Sequence, residues 1–461
     1  MRRRTATALL VLLLAAATAC SGQQQEPHPG TAPERTTRLL DLTPCPAPEM
    51  AGFLCGRLTV PLDHAHPDGR RLHLPVAVQG GHAPVLLVLT GGPGQGGVDF
   101  VPRVAQRLAP LLQDRRLVMI DQRGTGGTAL HCPGLQREMG ETDLVTPTPR
   151  AVEQCSARLG PTRAFYGTRD TVADLDTLRR ALGVTTWALD GTSYGTYVAE
   201  QYALAHPHRV DHLVLDSVVP QTWTEAGSLS LASFPAVRRV LTLVCREQGC
   251  PTDPVADLAT LVRRGDDGPA LLNLLAVISV VRGDLAFVPR MLHDAVTGDR
   301  SLLDGWLHGI LQPAPDDEFS QGLHAATLCA DQRHQPWGGP DSPLRSRGPA
   351  MAAEQRRLTA AQTYPFDPAT AVDNGLVQVC RWWGVLPSAR PAKGRQLPAV
   401  PTLVLMGDHD LSTPMEWARQ ELRWLPRRTV LVVHGAGHSV QSQLAQHPEA
   451  LRALERLFRS S

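Results

Sequence analysis

Lysine is almost missing from this sequence: Lys393 is the only one, and arginine carries the rest of the positive charge. The skew runs through the whole chain, so it reflects codon usage in GC-rich DNA and points to no site. Net charge is nearly missing too, at +1. No basic patch interleaved with aromatics stands out, so no long-range field exists to draw in nucleic acid or an anionic surface. No C-x-x-C pair occurs among the nine cysteines, which argues against zinc. No internal repeat is visible. What is present is ordinary globular composition, 43% apolar and 19% charged. At 461 residues the chain exceeds a typical domain, so it holds one large domain with an insertion, or two domains.

The first residues suggest export. Arg2, Arg3 and Arg4 precede an apolar stretch over residues 8–19 that is too short to span a bilayer comfortably, so residues 1–19 read as a signal peptide. The stretch ends Ala17-Thr18-Ala19-Cys20, which resembles a bacterial lipobox with Cys20 as the lipidated residue. Ala17 stands where leucine is more usual, and a plain secretory signal is the alternative. Residues 20–39 are polar and unpatterned, as a tether would be. The expectation is a secreted protein held at the outer face of the membrane only through an N-terminal lipid. Setting Cys20 aside leaves an even number of cysteines, as disulfides in an oxidising compartment require. Sequence neighbours suggest Cys45–Cys55, Cys132–Cys155, Cys245–Cys250 and Cys329–Cys380.

Residues 57–62 and 72–78 flank the turn signal Pro67-Asp68-Gly69 and read as a hairpin. Short apolar runs follow at residues 85–89, 117–120, 186–189 and 213–215, with helical patterns between them, as at residues 171–182. Buried strands alternating with helices imply a mainly parallel sheet covered on both faces. The pattern returns with strands at 402–406 and 430–433 and an amphipathic helix at 448–458. Between them, over residues 220–398, strand signals fade and helical or irregular stretches rich in Trp, Pro and Gly dominate. The sheet pattern resumes afterwards, so this region is expected to be an inserted cap over the carboxyl edge of the sheet. The core is then residues 40–219 and 399–461; a separate second domain is the alternative.

Gly191-Thr192-Ser193-Tyr194-Gly195 is a G-x-S-x-G element between a strand and a helix. That context presents a serine hydroxyl at the sheet edge beside a helix N-terminus and predicts an α/β-hydrolase fold. A serine needs a base to take its proton and an acid to orient the base, in chain order Ser, acid, His. His438, in the loop Gly435-Ala436-Gly437-His438 after a late strand, is the expected base, with His434 as its rival. Asp408 or Asp410, after the strand at 402–406, supplies the acid, and spacing does not choose between them. The oxyanion needs backbone donors. Tyr194 offers one, and Gly91 or Gly92 in the loop after residues 85–89 offers the other. That loop has no G-K-[ST] after it, so it is not a phosphate loop. No metal or organic cofactor is called for.

Gly91-Gly92-Pro93-Gly94, Asp121-Gln122-Arg123-Gly124-Thr125-Gly126, Gly191 to Thr196, Val214-Leu215-Asp216, Gly407 to Pro414 and Gly435 to His438 together resemble the proline iminopeptidase and tripeptidyl aminopeptidase group of α/β-hydrolases. Secreted actinobacterial tripeptidyl aminopeptidases are the nearest within it. The resemblance runs from about Leu58 to the C-terminus and is weakest over the insertion. It implies that Asp410, not Asp408, is the catalytic acid, and that the insertion is a helical cap admitting peptide N-termini. Cys329-Ala330-Asp331 and Cys380-Arg381-Trp382-Trp383 resemble cap motifs of the group, which supports the Cys329–Cys380 pair. Thr90 departs from the histidine that iminopeptidases often carry there, and leans away from a strict iminopeptidase.

The expectation is therefore a monomeric serine exopeptidase acting on peptides. Glu225, Asp331 and Glu354 in the insertion are candidates to hold the substrate's free amine. A carboxylic ester hydrolase using the same triad, or a non-catalytic envelope binding protein, are the competing expectations.

Overall fold

The computed structural model describes residues 40–221, 229–310, 315–331, 335–387 and 394–459. Its centre is a nine-stranded sheet in the order β1-β2-β3-β5-β4-β6-β7-β8-β9. The strands are β1 (Leu40–Pro44), β2 (Phe53–Pro61), β3 (Arg71–Gln79), β4 (Val85–Leu89), β5 (Arg116–Ile120), β6 (Trp187–Thr192), β7 (Val210–Asp216), β8 (Thr402–Gly407) and β9 (Arg428–Val433). The β1–β2, β2–β3 and β3–β5 pairings are antiparallel, and every pairing from β5 through β4 to β9 is parallel. This is the α/β-hydrolase fold expected from the sequence.

The unbroken apolar runs explain the centre. Every residue of β4 and of β8 is buried, because helices cover both faces of a parallel sheet. β9 is an edge strand, and Val430 and Val432 face solvent. One face packs Leu87, Leu89, Leu189 and Val404 against Tyr197, Val198 and Tyr202 of the helix Tyr194–Ala205. The other packs Leu86, Val88 and Leu405 against Ala453, Leu454 and Leu457 of the helix Pro448–Arg459.

Among the described residues, the chain between β7 and β8 forms helices and no named strand. The longest is Leu229–Gln248, and Gly268–Val281, Ser301–Gly309, Gln321–Asp331, Leu344–Arg357 and Gly375–Trp382 follow. Part of this region has its own apolar core around Phe234, Leu241, Leu274, Ile278 and Met291. Leu411, from the loop after β8, is buried in that same core. Disulfides join Cys45–Cys55, Cys132–Cys155, Cys245–Cys250 and Cys329–Cys380. Such bridges belong to an oxidising, extracytoplasmic compartment. Among the described residues no helix is long and apolar enough to cross a membrane.

Candidate active site

Ser193 stands between the carboxyl end of β6 and the helix Tyr194–Ala205, with φ 56° and ψ −128°. A side chain there is strained, and it persists only where surroundings enforce it. Here they do: the Ser193 N–H donates to the Asp216 carbonyl of neighbouring β7 at 2.9 Å. The Ser193 carbonyl accepts from the Thr196 N–H at 2.9 Å and from the Thr196 hydroxyl at 2.7 Å. The turn sets Ser193 in the wall of a large cavity, with Tyr194, Gly91 and Gly92 beside it. Gly91 is glycine for a measurable reason: a Cβ there would come within 2.9 Å of the Ser193 Cβ. The loop after β4 can thus bring its N–H groups up to the serine. The Tyr194 N–H lies in the first helical turn, where no carbonyl of the helix reaches it.

His438 and Asp410 follow β9 and β8, and meet at the same sheet edge. His438 Nδ1 lies 3.0 Å from Asp410 Oδ2, and both side chains are buried. The rest of Asp410 is saturated. Its Oδ1 accepts from the N–H groups of Ser412 and Thr413, and Oδ2 from the Thr413 hydroxyl, each at 2.9 Å. Burial pushes the Asp410 carboxyl up, but the His438 charge, its hydrogen bond and those of Thr413 outweigh burial and hold it below the ordinary value. For His438, burial alone would lower the imidazole. Asp410, by charge and hydrogen bond, with the charges of Asp216 and Asp143, holds it above its ordinary value instead.

Asp408 has another task. Its carboxylate accepts from His434 Nδ1 at 2.8 Å and from the Gly435 N–H at 2.8 Å, so it fixes the start of the loop that carries His438. His434, the rival base, is thereby engaged at an exposed position, and it does not line the cavity.

The insertion holds this pair in place. The Ser279 carbonyl accepts the His438 N–H at 2.9 Å, while the Ser279 hydroxyl accepts the Leu411 N–H at 3.1 Å. Gly437 must lack a Cβ, because one would collide with that carbonyl. Arg239 donates to the Asp408 carbonyl at 2.6 Å and to Glu416 at 2.8 Å. From the core side, Asp216 accepts the N–H groups of Val440 at 3.0 Å and Gln441 at 2.8 Å.

The cavity has a volume of about 1350 Å³ and is lined by Ser193, His438 and Thr413 at one side. Val280, Val281 and Leu302, each more than 40% exposed, form an apolar wall. Two of the amine-site candidates, Asp331 and Glu354, do not line it. Asp331 is buried and turned to Thr168, accepting its N–H at 3.1 Å, so it caps the start of the helix Thr168–Ala181. Glu354 pairs with Arg357 at 3.2 Å, one turn along the helix Leu344–Arg357, and is outside the lining. Glu225 and Cys20 lie outside the described residues. The carboxylates that do line the cavity are Glu141, Asp143 and Glu318, which sequence reasoning did not single out. It also passed over His324, Asn273 and Ser279. The last two had a signal: they are the polar side chains of the otherwise apolar helix Gly268–Val281.

Residues 84–309 match the family model described as the alpha/beta hydrolase fold, and residues 364–454 match the one described as TAP-like protein. Serine protease Hip1 of Mycobacterium tuberculosis is 25% identical, across 88% of this chain and 86% of that protein. Tripeptidyl aminopeptidase of Streptomyces lividans is 31% identical, across 36% of this chain and 35% of its own. Proline iminopeptidase of Xylella fastidiosa is 31% identical, across 30% of this chain and 33% of its own. A serine on a strained turn at the edge of such a sheet, among such relatives, makes this a serine hydrolase. The chain has the α/β-hydrolase fold and is similar to serine peptidases built on it.

Proposed function

We propose that this chain is a serine exopeptidase that releases short peptides from the N-termini of peptide substrates, with Ser193, His438 and Asp410 as its triad. Tripeptides are the expected unit, as the name of the Streptomyces relative suggests. His438 takes the proton of the Ser193 hydroxyl as the oxygen attacks the scissile carbonyl. The N–H groups of Tyr194 and of Gly91 or Gly92 receive the oxyanion, each such donor contributing roughly 3–4 kcal/mol. The tetrahedral intermediate collapses, the C–N bond breaks, and His438 returns the proton to the leaving amine. Water then hydrolyses the acyl-enzyme by the same path. Asp410 keeps Nδ1 protonated and offsets the charge on the imidazolium.

The observation that carries this reading is one cavity that joins the strained Ser193, the buried His438 and an unpaired amide. Asn273 lines the cavity, is buried, and has neither side-chain oxygen nor nitrogen hydrogen-bonded. A donor and an acceptor in one group match a peptide unit, and leaving both unpaired is costly until substrate arrives. The volume also exceeds the roughly 300–1,000 Å³ of small-molecule sites. An ester hydrolase with the same triad is favoured only by the apolar wall of Val280, Val281 and Leu302. We further propose that the protein works as a monomer outside the membrane, tethered through Cys20.

Purified protein lacking residues 1–20 would be assayed on free and N-acetylated mono-, di- and tripeptide anilides and a short acyl ester, beside Ser193→Ala. Cleavage of free peptides over acetylated ones, lost in the variant, supports the exopeptidase. Cleavage of the ester alone replaces it with an esterase.

A further inference from the structure

We propose that Glu141, Asp143, Glu318 and the unpaired ring nitrogen of His324 form the subsite that receives the α-ammonium group of the substrate's first residue. The proposal rests on the exopeptidase reading and gives it a location. The three carboxylates line the cavity that holds Ser193 and His438. Among the described residues none of them has an ion-pair or side-chain hydrogen-bond partner, unlike Asp331, Glu354, Asp408 and Asp410. Neither cation of the cavity is paired with these carboxylates. Arg103 lies 4.3 Å over the Phe100 ring, and Arg107 sits in the field of Asp190 and Asp216.

His324 is the independent sign of a ligand. It is 2% exposed and lines the same cavity. Its Nδ1 lies 2.8 Å from the Pro93 carbonyl, which can only accept, so Nδ1 carries the hydrogen. Nε2 is then a lone-pair acceptor, buried and without a partner. Burial lowers the imidazole's pKa, and the nearby Asp143 charge does not reverse this, so the ring stays neutral at neutral pH. An ammonium group brings three N–H donors and one positive charge. It satisfies Nε2 and offsets one of the negative charges of the carboxylates in one step. Glu141 shows the cost of waiting: partial burial and the Glu318 charge raise its pKa above the ordinary value.

The subsite is held at a fixed distance from the serine. Gln321 donates to the Gly140 carbonyl at 3.0 Å and to the Thr142 carbonyl at 2.8 Å, locking the segment of Glu141 and Asp143 to that of Glu318 and His324. The Ser320 N–H donates to the Gly94 carbonyl at 3.0 Å, which ties both to the loop of Gly91. A fixed span between ammonium and nucleophile is what sets the number of residues removed per cut.

The test compares kcat/KM for a free tripeptide anilide and its N-acetylated form in wild type, Glu318→Gln, Glu141→Gln/Glu318→Gln and Asp143→Asn, from pH 6 to 9. The free-to-acetylated ratio is expected to fall at least tenfold in the double variant, through KM. In wild type KM for the free peptide should rise as its amine deprotonates near about pH 8, and this rise should flatten in the variants. Glu318 is exposed, so Glu318→Gln should fold even if the others do not, and its ratio then decides. A wild-type preference for free amines that no variant reduces would overturn the subsite and leave the exopeptidase standing. No preference in wild type would overturn the exopeptidase and the subsite with it.

Discussion

Two sets of carboxylates serve this cavity, one behind His438 and one in its lining, and they are built in opposite ways. Asp410 accepts from His438, Ser412 and Thr413 and has no capacity to spare. Glu141, Asp143 and Glu318 have no such partners among the described residues. A carboxylate that must keep one geometry through every turnover is saturated by the protein. A carboxylate meant for a ligand is left open, at a cost that the ligand relieves. A different contrast separates Asp408 from Asp410, both partnered and two residues apart: one braces a loop, the other meets His438.

The largest effect should come from removing the nucleophile, which leaves both acidic groups intact. Ser193→Ala should cut kcat by about a million-fold, as loss of a triad nucleophile does elsewhere, with peptide binding by calorimetry retained. Asp410→Asn should cost about 10⁴ in kcat. Asp408→Asn should cost less than about tenfold in kcat while lowering the melting temperature, since it weakens contacts to Gly435, His434 and His409 and none to His438. Equal kinetic losses in the two would erase the distinction between them.

A smaller effect isolates the ligand side. Cys329–Cys380 ties the helix carrying His324 to the helix Gly375–Trp382 across 51 residues of sequence. Replacing both with alanine should destabilise by about 4 kcal/mol on the loop-closure model, and should raise KM for free peptides more than it lowers kcat. Denaturant unfolding and steady-state kinetics read the two. Smaller still is Ser279→Ala, which keeps the carbonyl under His438 and removes the acceptor of the Leu411 N–H. The expected cost is about 1 kcal/mol in thermal unfolding, with a few-fold loss in kcat. The pH profile follows from His438. The base must be neutral to accept a proton, and its folded-state pKa is raised, so kcat/KM should climb with pH through a value above 6.5. Asp410→Asn removes the main lift and should move that limb to lower pH.

The loops at the sheet edge were legible because backbone geometry dictates their residues. Glycine at 91 and 437 answers to a close approach, and Ser193 is marked by the strand and helix on either side. The strands were legible as apolar runs, although β6 reaches Thr192 rather than stopping at Leu189, since pairing with both β4 and β7 extends it. β1 was not legible: a short edge strand, it forms against β2 with little signal of its own. Asp331 and Glu354 lie away from the cavity lining, and for Asp331 the reason is physical. Asp331 was judged by its place in the insertion, but its partner Thr168 is 163 residues away. Glu141 and Asp143 sit in the core half of the sequence and reach the cavity only because Gln321 folds against Gly140 and Thr142. No local pattern records such a contact.

Labelling with a serine-directed fluorophosphonate, read by intact mass and peptide mapping, addresses the catalytic assignment most directly. One adduct on the peptide containing Ser193 is expected, absent in Ser193→Ala, formed far more slowly in Asp410→Asn or His438→Ala, and little changed in Asp408→Asn. An adduct on another serine, or Asp408→Asn slowed as much as Asp410→Asn, would contradict the triad of Ser193, His438 and Asp410.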